Sequence, residues 1–212
     1  RPRPAARLLR HDRALGARRV AGVDEAGRGC LAGPLVAAAV CVDFDRLDRG
    51  AVRALGDVDD SKRVREAVRA RLAHEIMRRA EQVVVVTISA RTIDRDGLHR
   101  SNLRALARAL EGISPCADLC MVDGFRLGAD APDHRTVVGG DHLSFCVAAA
   151  SIVAKAARDR LMRGPVARAH PQYGFDEHVG YATAAHRDAL RHHGASPVHR
   201  RSFRSAAYDG AV

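Results

Sequence analysis

The sequence predicts an α/β domain: a mixed β-sheet flanked by helices, with a small C-terminal helical segment. Three observations carry that expectation. Short runs rich in Val and Ala have strand length, and segments of helical period alternate with them. The 212 residues are 47% hydrophobic and 28% charged, which is ordinary for a globular chain with one well-formed core. The longest apolar run, around residues 35–42, falls far short of the roughly 20 residues that span a bilayer.

Residues 1–18, rich in Arg with scattered Leu and Ala, read as a basic lead-in that is loose or helical. A strand over 19–24 stops at the turn Ala26-Gly27-Arg28-Gly29. The continuous Val/Ala run of 34–42 predicts a strand buried on both faces. Residues 43–61 are acidic, punctuated by glycine and expected to be irregular. Leu72, Ile76 and Ala80 share a helical face within 64–80, and 82–89, with VVVVTI, is a strand. Helix is expected over 93–110, broken near Gly97, then short strands at 119–123 and 135–138. The Ala-rich stretch 144–162 suits a helix packed closely on a sheet. After Gly164-Pro165 the chain is His-rich and reads as loop, until a last helix over 183–193 with Thr183 as its N-cap. The main α/β domain is drawn over 19–165 and the C-terminal helical and loop segment over 166–212.

Charge narrows the class of partner. Lys and Arg number 35 against 25 Asp and Glu, a net +10 that favours polyanions. The five cysteines lack paired spacing, so Cys30, Cys41, Cys116, Cys120 and Cys146 read as small apolar residues of a reducing compartment. No secretory leader pattern opens the chain, and a cytoplasmic monomer is expected. No clamp-binding peptide is evident at the C-terminus.

Four acidic residues stand out by position. Asp24 and Glu25 end one apolar strand, Asp123 ends another, and Asp141 follows Gly139-Gly140 just before a helix. Carboxylates at strand ends of one sheet converge, and like charges crowded together repel unless a divalent cation neutralises them. Hard oxygen ligands without His or Cys select Mg²⁺ or Mn²⁺, and two such ions suit phosphodiester hydrolysis. Successive strand residues face opposite ways, so Asp24 and Glu25 share an ion only where the strand twists or ends. Asp159 lies five helical turns, about 27 Å, beyond Asp141, and is read as salt-bridged instead. The glycines of Gly27-Arg28-Gly29 let backbone approach a small group such as a 2′-hydroxyl. The late histidines, His170, His178, His186, His192, His193 and His199, form no metal-ligand spacing and read as surface or capping residues.

The chain resembles type 2 ribonuclease H, ribonuclease HII. The resemblance runs through VAGVDEAGRGCLAGPLVAAAV at 20–40, Asp60-Ser61-Lys62, Val122-Asp123-Gly124, GDHLSFCVAAASIVAKAARDR at 140–160, HPQYGFDEHVGYATAAH at 170–186 and HRRSF at 199–203. It implies a ribonuclease H-like fold and a metal-dependent endonuclease. Its substrates would be RNA/DNA hybrids and duplex DNA containing ribonucleotides, nicked on the 5′ side to leave 5′-phosphate and 3′-hydroxyl ends. It implies that Asp24, Glu25, Asp123 and Asp141 hold Mn²⁺ or Mg²⁺. Gly27, Arg28 and Gly29 would read the ribose 2′-hydroxyl, Tyr181 would pack on the adjoining deoxyribose, and Lys62 would meet a phosphate. Gly139 and Leu143 stand where the family usually carries lysine, so positive charge near the scissile phosphate is reduced.

Three other classes are weighed. A binding module with a vestigial metal site is disfavoured by the four intact carboxylates. Type 3 ribonuclease H carries an extra N-terminal domain, for which the short lead-in leaves no room. A small-molecule phosphohydrolase fits the basic surplus poorly.

Overall fold

The computed structural model describes residues 3–203 and Tyr208. A five-stranded sheet of order β3-β2-β1-β4-β5 forms its centre, from β1 (Arg19–Ala26), β2 (Leu35–Asp43), β3 (Gln82–Ile88), β4 (Leu119–Asp123) and β5 (Arg135–Val137). Strands β1 to β3 form an antiparallel meander, whereas β4 runs parallel to both β1 and β5. The mixed α/β sheet expected from the sequence is therefore present.

Helices α5 (Leu98–Ile113) and α6 (Phe145–Leu161) cover the two faces. Every residue of β2 is buried because both its faces are covered. Ala38, Val40 and Val42 join the apolar cluster on the α6 side, while Ala37, Ala39 and Cys41 join that of α5. The small side chains of α6 allow it to sit almost on the backbone of β1. A Cβ at Gly22 would overlap the main chain of Cys146 and Val147. Ser144 caps α6 by accepting from Val147 N. Helix α3 (Glu66–Arg79) packs on α6 through Leu72, Ala73 and Ile76. The helical stretch predicted over 93–110 is α4 (Ala90–Asp96) followed by α5, divided at Gly97 with φ +83°.

One expectation is narrowed and two need correction. The lead-in takes the helical and not the loose form: α1 (Pro4–Ala14) buries Leu8, Leu9 and Asp12 against α6. Asp12 Oδ2 accepts from Ser144 Oγ and Cys146 N, each at 3.0 Å, so a buried carboxylate holds α1 at the positive end of α6. The supposedly irregular stretch before Ser61 contains α2 (Arg49–Ala54), capped by Asp48. The region after Gly164 is not loop-like. A π-helical turn (Met162–Val166) leads into α7 (Ala167–Ala169), α8 (Phe175–His178) and α9 (Ala184–His193), with Thr183 capping α9 as expected.

The histidines of this region are corrected with it. His178, His186 and His199 are buried around Tyr173 and Phe175, and the rings of His178 and His186 stack at 4.4 Å. No described helix is long and apolar enough to cross a membrane. Apart from Tyr208, the C-terminal stretch beyond Phe203, where no clamp-binding peptide is evident, lies outside the described residues.

Candidate active site

The parallel pairing of β1 with β4 builds the site. Val23 is in register with Val122, so Asp24 and Asp123 follow as neighbours at the same end of adjacent strands. They project from the α6 face, where Ser151 lies beside Asp24. Glu25 turns to the α5 face, beside Asn102, as strand alternation requires. Pairing of β1 with β2 continues through Glu25 and Ala26, so the strand does not end at the acidic pair. Asp141 sits in a 3-10 turn (Gly140–His142) ahead of α6. Gly140 N donates to Asp123 Oδ1 at 2.7 Å, tying that turn to β4.

The carboxylates repel one another through a dry environment. Burial drives the Asp24 pKa well above its usual value, and the charges of Glu25 and Asp123 add to the rise. Burial pushes Glu25 up to about 7, with Asp123 adding to the rise and Arg28 opposing it. Asp141 is raised by burial and then by Asp60. Glu25 Oε2 is buried and, among the described residues, has no hydrogen-bond partner. Oxygen ligands that resist ionising together, with a buried lone pair left over, fit a hard divalent cation.

Asp60 and His142 carried no assigned role in the sequence. Ligand atoms of Asp60, Asp141 and His142 lie within 4.8 Å of one another, the only such grouping of three among the described residues. Asp24, Glu25 and Asp123 are not drawn in as closely. Asp60 is buried and orders its own turn, with Oδ1 accepting from Lys62 N at 2.9 Å. Lys62 is exposed and close enough to act on both Glu25 and Asp141. The Asp60-Ser61-Lys62 string was the signal that could have drawn attention to Asp60.

Beside the carboxylates, the Gly27–Pro34 loop is held by two buried guanidiniums. Arg158 donates from Nε to Pro34 O, from Nη1 to Val179 O and from Nη2 to Ala32 O, at 2.9–3.0 Å. Arg200 donates to Gly33 O and to Arg28 O. The two glycines differ in role. Gly27 has φ +92° and a Cβ there would overlap Arg158, whereas Gly29 faces open space. Arg28 Nη1 lies 3.7 Å from Glu25 Oε1, and its guanidinium sits 4.9 Å from the Phe125 ring centroid.

Tyr181 is 40% exposed, with Lys155 Nζ 5.0 Å from its ring centroid. Without the resemblance it would read as a partly buried core aromatic; it presents much of its ring to solvent. Leu31 N donates to Gly180 O at 2.9 Å, which joins the Tyr181 turn to the glycine loop. Asp159 stays outside the site and pairs with Arg69 at 3.2 Å and Lys155 at 2.6 Å.

Solved structures define the class. The ribonuclease H2 of Pyrococcus horikoshii superposes with TM-score 0.70 at 24% identity, covering 90% of this chain and 95% of that one. Ribonuclease HII of Archaeoglobus fulgidus, solved as a PCNA complex, gives 0.69 at 25% identity, covering 88% and 95%. Bst ribonuclease HIII, solved with Mn²⁺, gives 0.69 at 23% identity, covering 95% and 71%. The fold is thus that of the ribonuclease H-like α/β nucleases.

The family follows from sequence. The Ribonuclease HII family model matches residues 21–206, and the chain belongs to that family. It is 45% identical to ribonuclease HII of Chlorobium luteolum over 190 residues, covering 88% of each chain. To ribonuclease HII of Mycobacterium avium it is 47% identical over 184 residues, covering 87% of this chain and 77% of the relative. It is a type 2 ribonuclease H, a phosphodiester-cleaving hydrolase acting on nucleic acid.

Proposed function

We propose that the chain nicks duplex DNA on the 5′ side of an embedded ribonucleotide and cuts the RNA strand of RNA/DNA hybrids. The products carry 5′-phosphate and 3′-hydroxyl ends, and the role is removal of ribonucleotides from DNA. The observation that carries this reading is the placement of Asp24 beside Asp123, with Asp141 tied to Asp123 through the Gly140 amide.

In this reading Asp24, Glu25, Asp123 and Asp141 hold two Mg²⁺ or Mn²⁺ ions; the Mn²⁺ complex of Bst ribonuclease HIII is a precedent on the same fold. When bound, the ions supply an activated water and neutralise charge on the cleaved phosphate. The chain's own residues orient and select. Gly27, Arg28 and Gly29 present backbone to the 2′-hydroxyl, and the open space at Gly29 supports close approach of a ribose. Tyr181 offers a half-exposed ring to the neighbouring deoxyribose, and Lys62 meets a phosphate. The enzyme works as a cytoplasmic monomer, and a sliding-clamp contact follows the precedent of the PCNA complex of the Archaeoglobus fulgidus protein.

The test is a DNA duplex with one ribonucleotide, incubated with Mg²⁺, with Mn²⁺ and with EDTA. A metal-dependent nick 5′ to the ribonucleotide is expected; its absence with both ions overturns the reading.

A further inference from the structure

We infer that the exposed face of α1 is a second contact surface for the nucleic-acid backbone, with Arg7 and Arg10 binding phosphates beyond the cleaved nucleotide. The inference deepens the nuclease reading above and rests on it for the identity of the substrate.

Helix α1 turns its apolar residues and its single acid inward. Leu8, Leu9 and Asp12 are buried, whereas Arg7, Arg10, His11 and Arg13 are exposed. The outer face therefore carries positive charge with no acidic residue to offset it. Arg7 and Arg10 stand on one side of the helix, one turn apart and about 4.5 Å along its axis. Among the described residues, no carboxylate pairs with either guanidinium.

Position links this face to the site. Arg7 Nη2 donates to His142 O at 2.6 Å, one residue beyond Asp141. The Asp12 contacts with Ser144 Oγ and Cys146 N fix α1 on the helix that follows Asp141. Neither Gly139 nor Leu143 beside Asp141 carries a charge. Arg7 and Lys62 are thus cations that flank Asp141 from two separate elements. An arginine spent on a neutral carbonyl keeps its full charge for a polyanion. A phosphodiester backbone passing Asp141 meets that charge directly.

The experiment compares wild type, the Arg7→Ala/Arg10→Ala double variant and Arg108→Ala, which removes an exposed arginine from α5 on the opposite face of the sheet. Duplex binding by fluorescence anisotropy, without metal, and steady-state cleavage are followed from about 50 to 200 mM salt. The double variant is expected to bind about tenfold more weakly at the low-salt end. Its slope of log affinity against log salt should be shallower by nearly two, with KM raised and kcat within about twofold. Arg7→Lys should recover part of the loss, and Arg108→Ala should match wild type. A double variant with wild-type affinity and salt slope, or one no different from Arg108→Ala, overturns the proposal. The two readings fail separately: absence of cleavage by wild type sinks the nuclease reading, while the salt slope of binding still judges the surface.

Discussion

The amide of Gly140 donates to Asp123 Oδ1 over 2.7 Å, so the turn bearing Asp141 is tied to the carboxylate that ends β4. A Cβ at Gly140 would lie 2.9 Å from Val147 Cγ1 and 3.2 Å from that same carboxylate oxygen. Gly140→Ala must therefore displace Val147, Asp123 or the turn. The expected result is a kcat lower by roughly tenfold to a hundredfold with a cooperative melt retained. Wild-type kcat in this variant would mean that the turn and β4 move independently.

The glycines flanking Arg28 separate stability from recognition. Gly27→Ala meets both a positive φ and Arg158, and should cost about 2–4 kcal/mol in a denaturant melt. Gly29→Ala enters open space and should leave stability within about 0.5 kcal/mol. Cleavage at an embedded ribonucleotide should nonetheless fall in Gly29→Ala, because the added methyl occupies room reserved for the ribose. Equal melts for the two variants would contradict the assignment.

The buried histidines make a pH prediction. One neutral tautomer set satisfies them all: His178 donates from Nε2 to Tyr173 O and accepts at Nδ1 from Gly180 N, His186 donates from Nδ1 to Tyr181 O, His199 donates from Nε2 to His186 Nε2, and His199 Nδ1 accepts from Ser196 N. Burial lowers His186 to about 4, and burial with His186 nearby lowers His199 to about 3. The unfolded chain binds these protons first, so the network's stability is complete above about pH 6.5 and is lost as pH falls through the folded values. The raised carboxylates Asp24, Glu25 and Asp141 act with the opposite sign, so the melts are run with saturating Mg²⁺, which at the proposed metal site would oppose their protonation. Under that condition the Tm gap between wild type and His199→Gln should narrow from pH 7 to pH 5. A gap that stays constant would show that His199 is not held neutral.

Asp159 is the acid that sequence reasoning set aside. Helix geometry alone excluded it from a site shared with Asp141, and it bridges Arg69 and Lys155 instead. Asp159→Asn leaves buried Arg69 and half-buried Lys155 short of a partner and should cost roughly 3 kcal/mol, with kcat little changed. A large loss of kcat at unchanged Tm would place Asp159 in the chemistry.

The sheet was legible because its signals are local. The runs of β2 and β3 and the small residues of α6 state burial and close packing directly. Asp24, Asp123 and Asp141 could be picked out because each sits at or near a strand end or just before a helix. What escaped depends on distant partners. Asp12 looks like a surface acid until Ser144 and the Cys146 amide meet it. His178, His186 and His199 look polar until Tyr173 and Phe175 enclose them. Asp60 joins Asp141 only through the fold. Arg158 and Arg200 bind main-chain carbonyls, which leave no mark in sequence.

The most direct measurement is cleavage and binding of a single-ribonucleotide DNA duplex by Asp24→Asn and Asp141→Asn with saturating Mg²⁺ or Mn²⁺. Each substitution keeps the side chain's size while removing one carboxylate of the proposed metal site, Asp24 on β1 or Asp141 in the turn before α6. Both variants should bind the duplex near wild-type affinity and leave it uncut. Full cleavage by either one would contradict a carboxylate-held metal centre at the ends of β1 and β4.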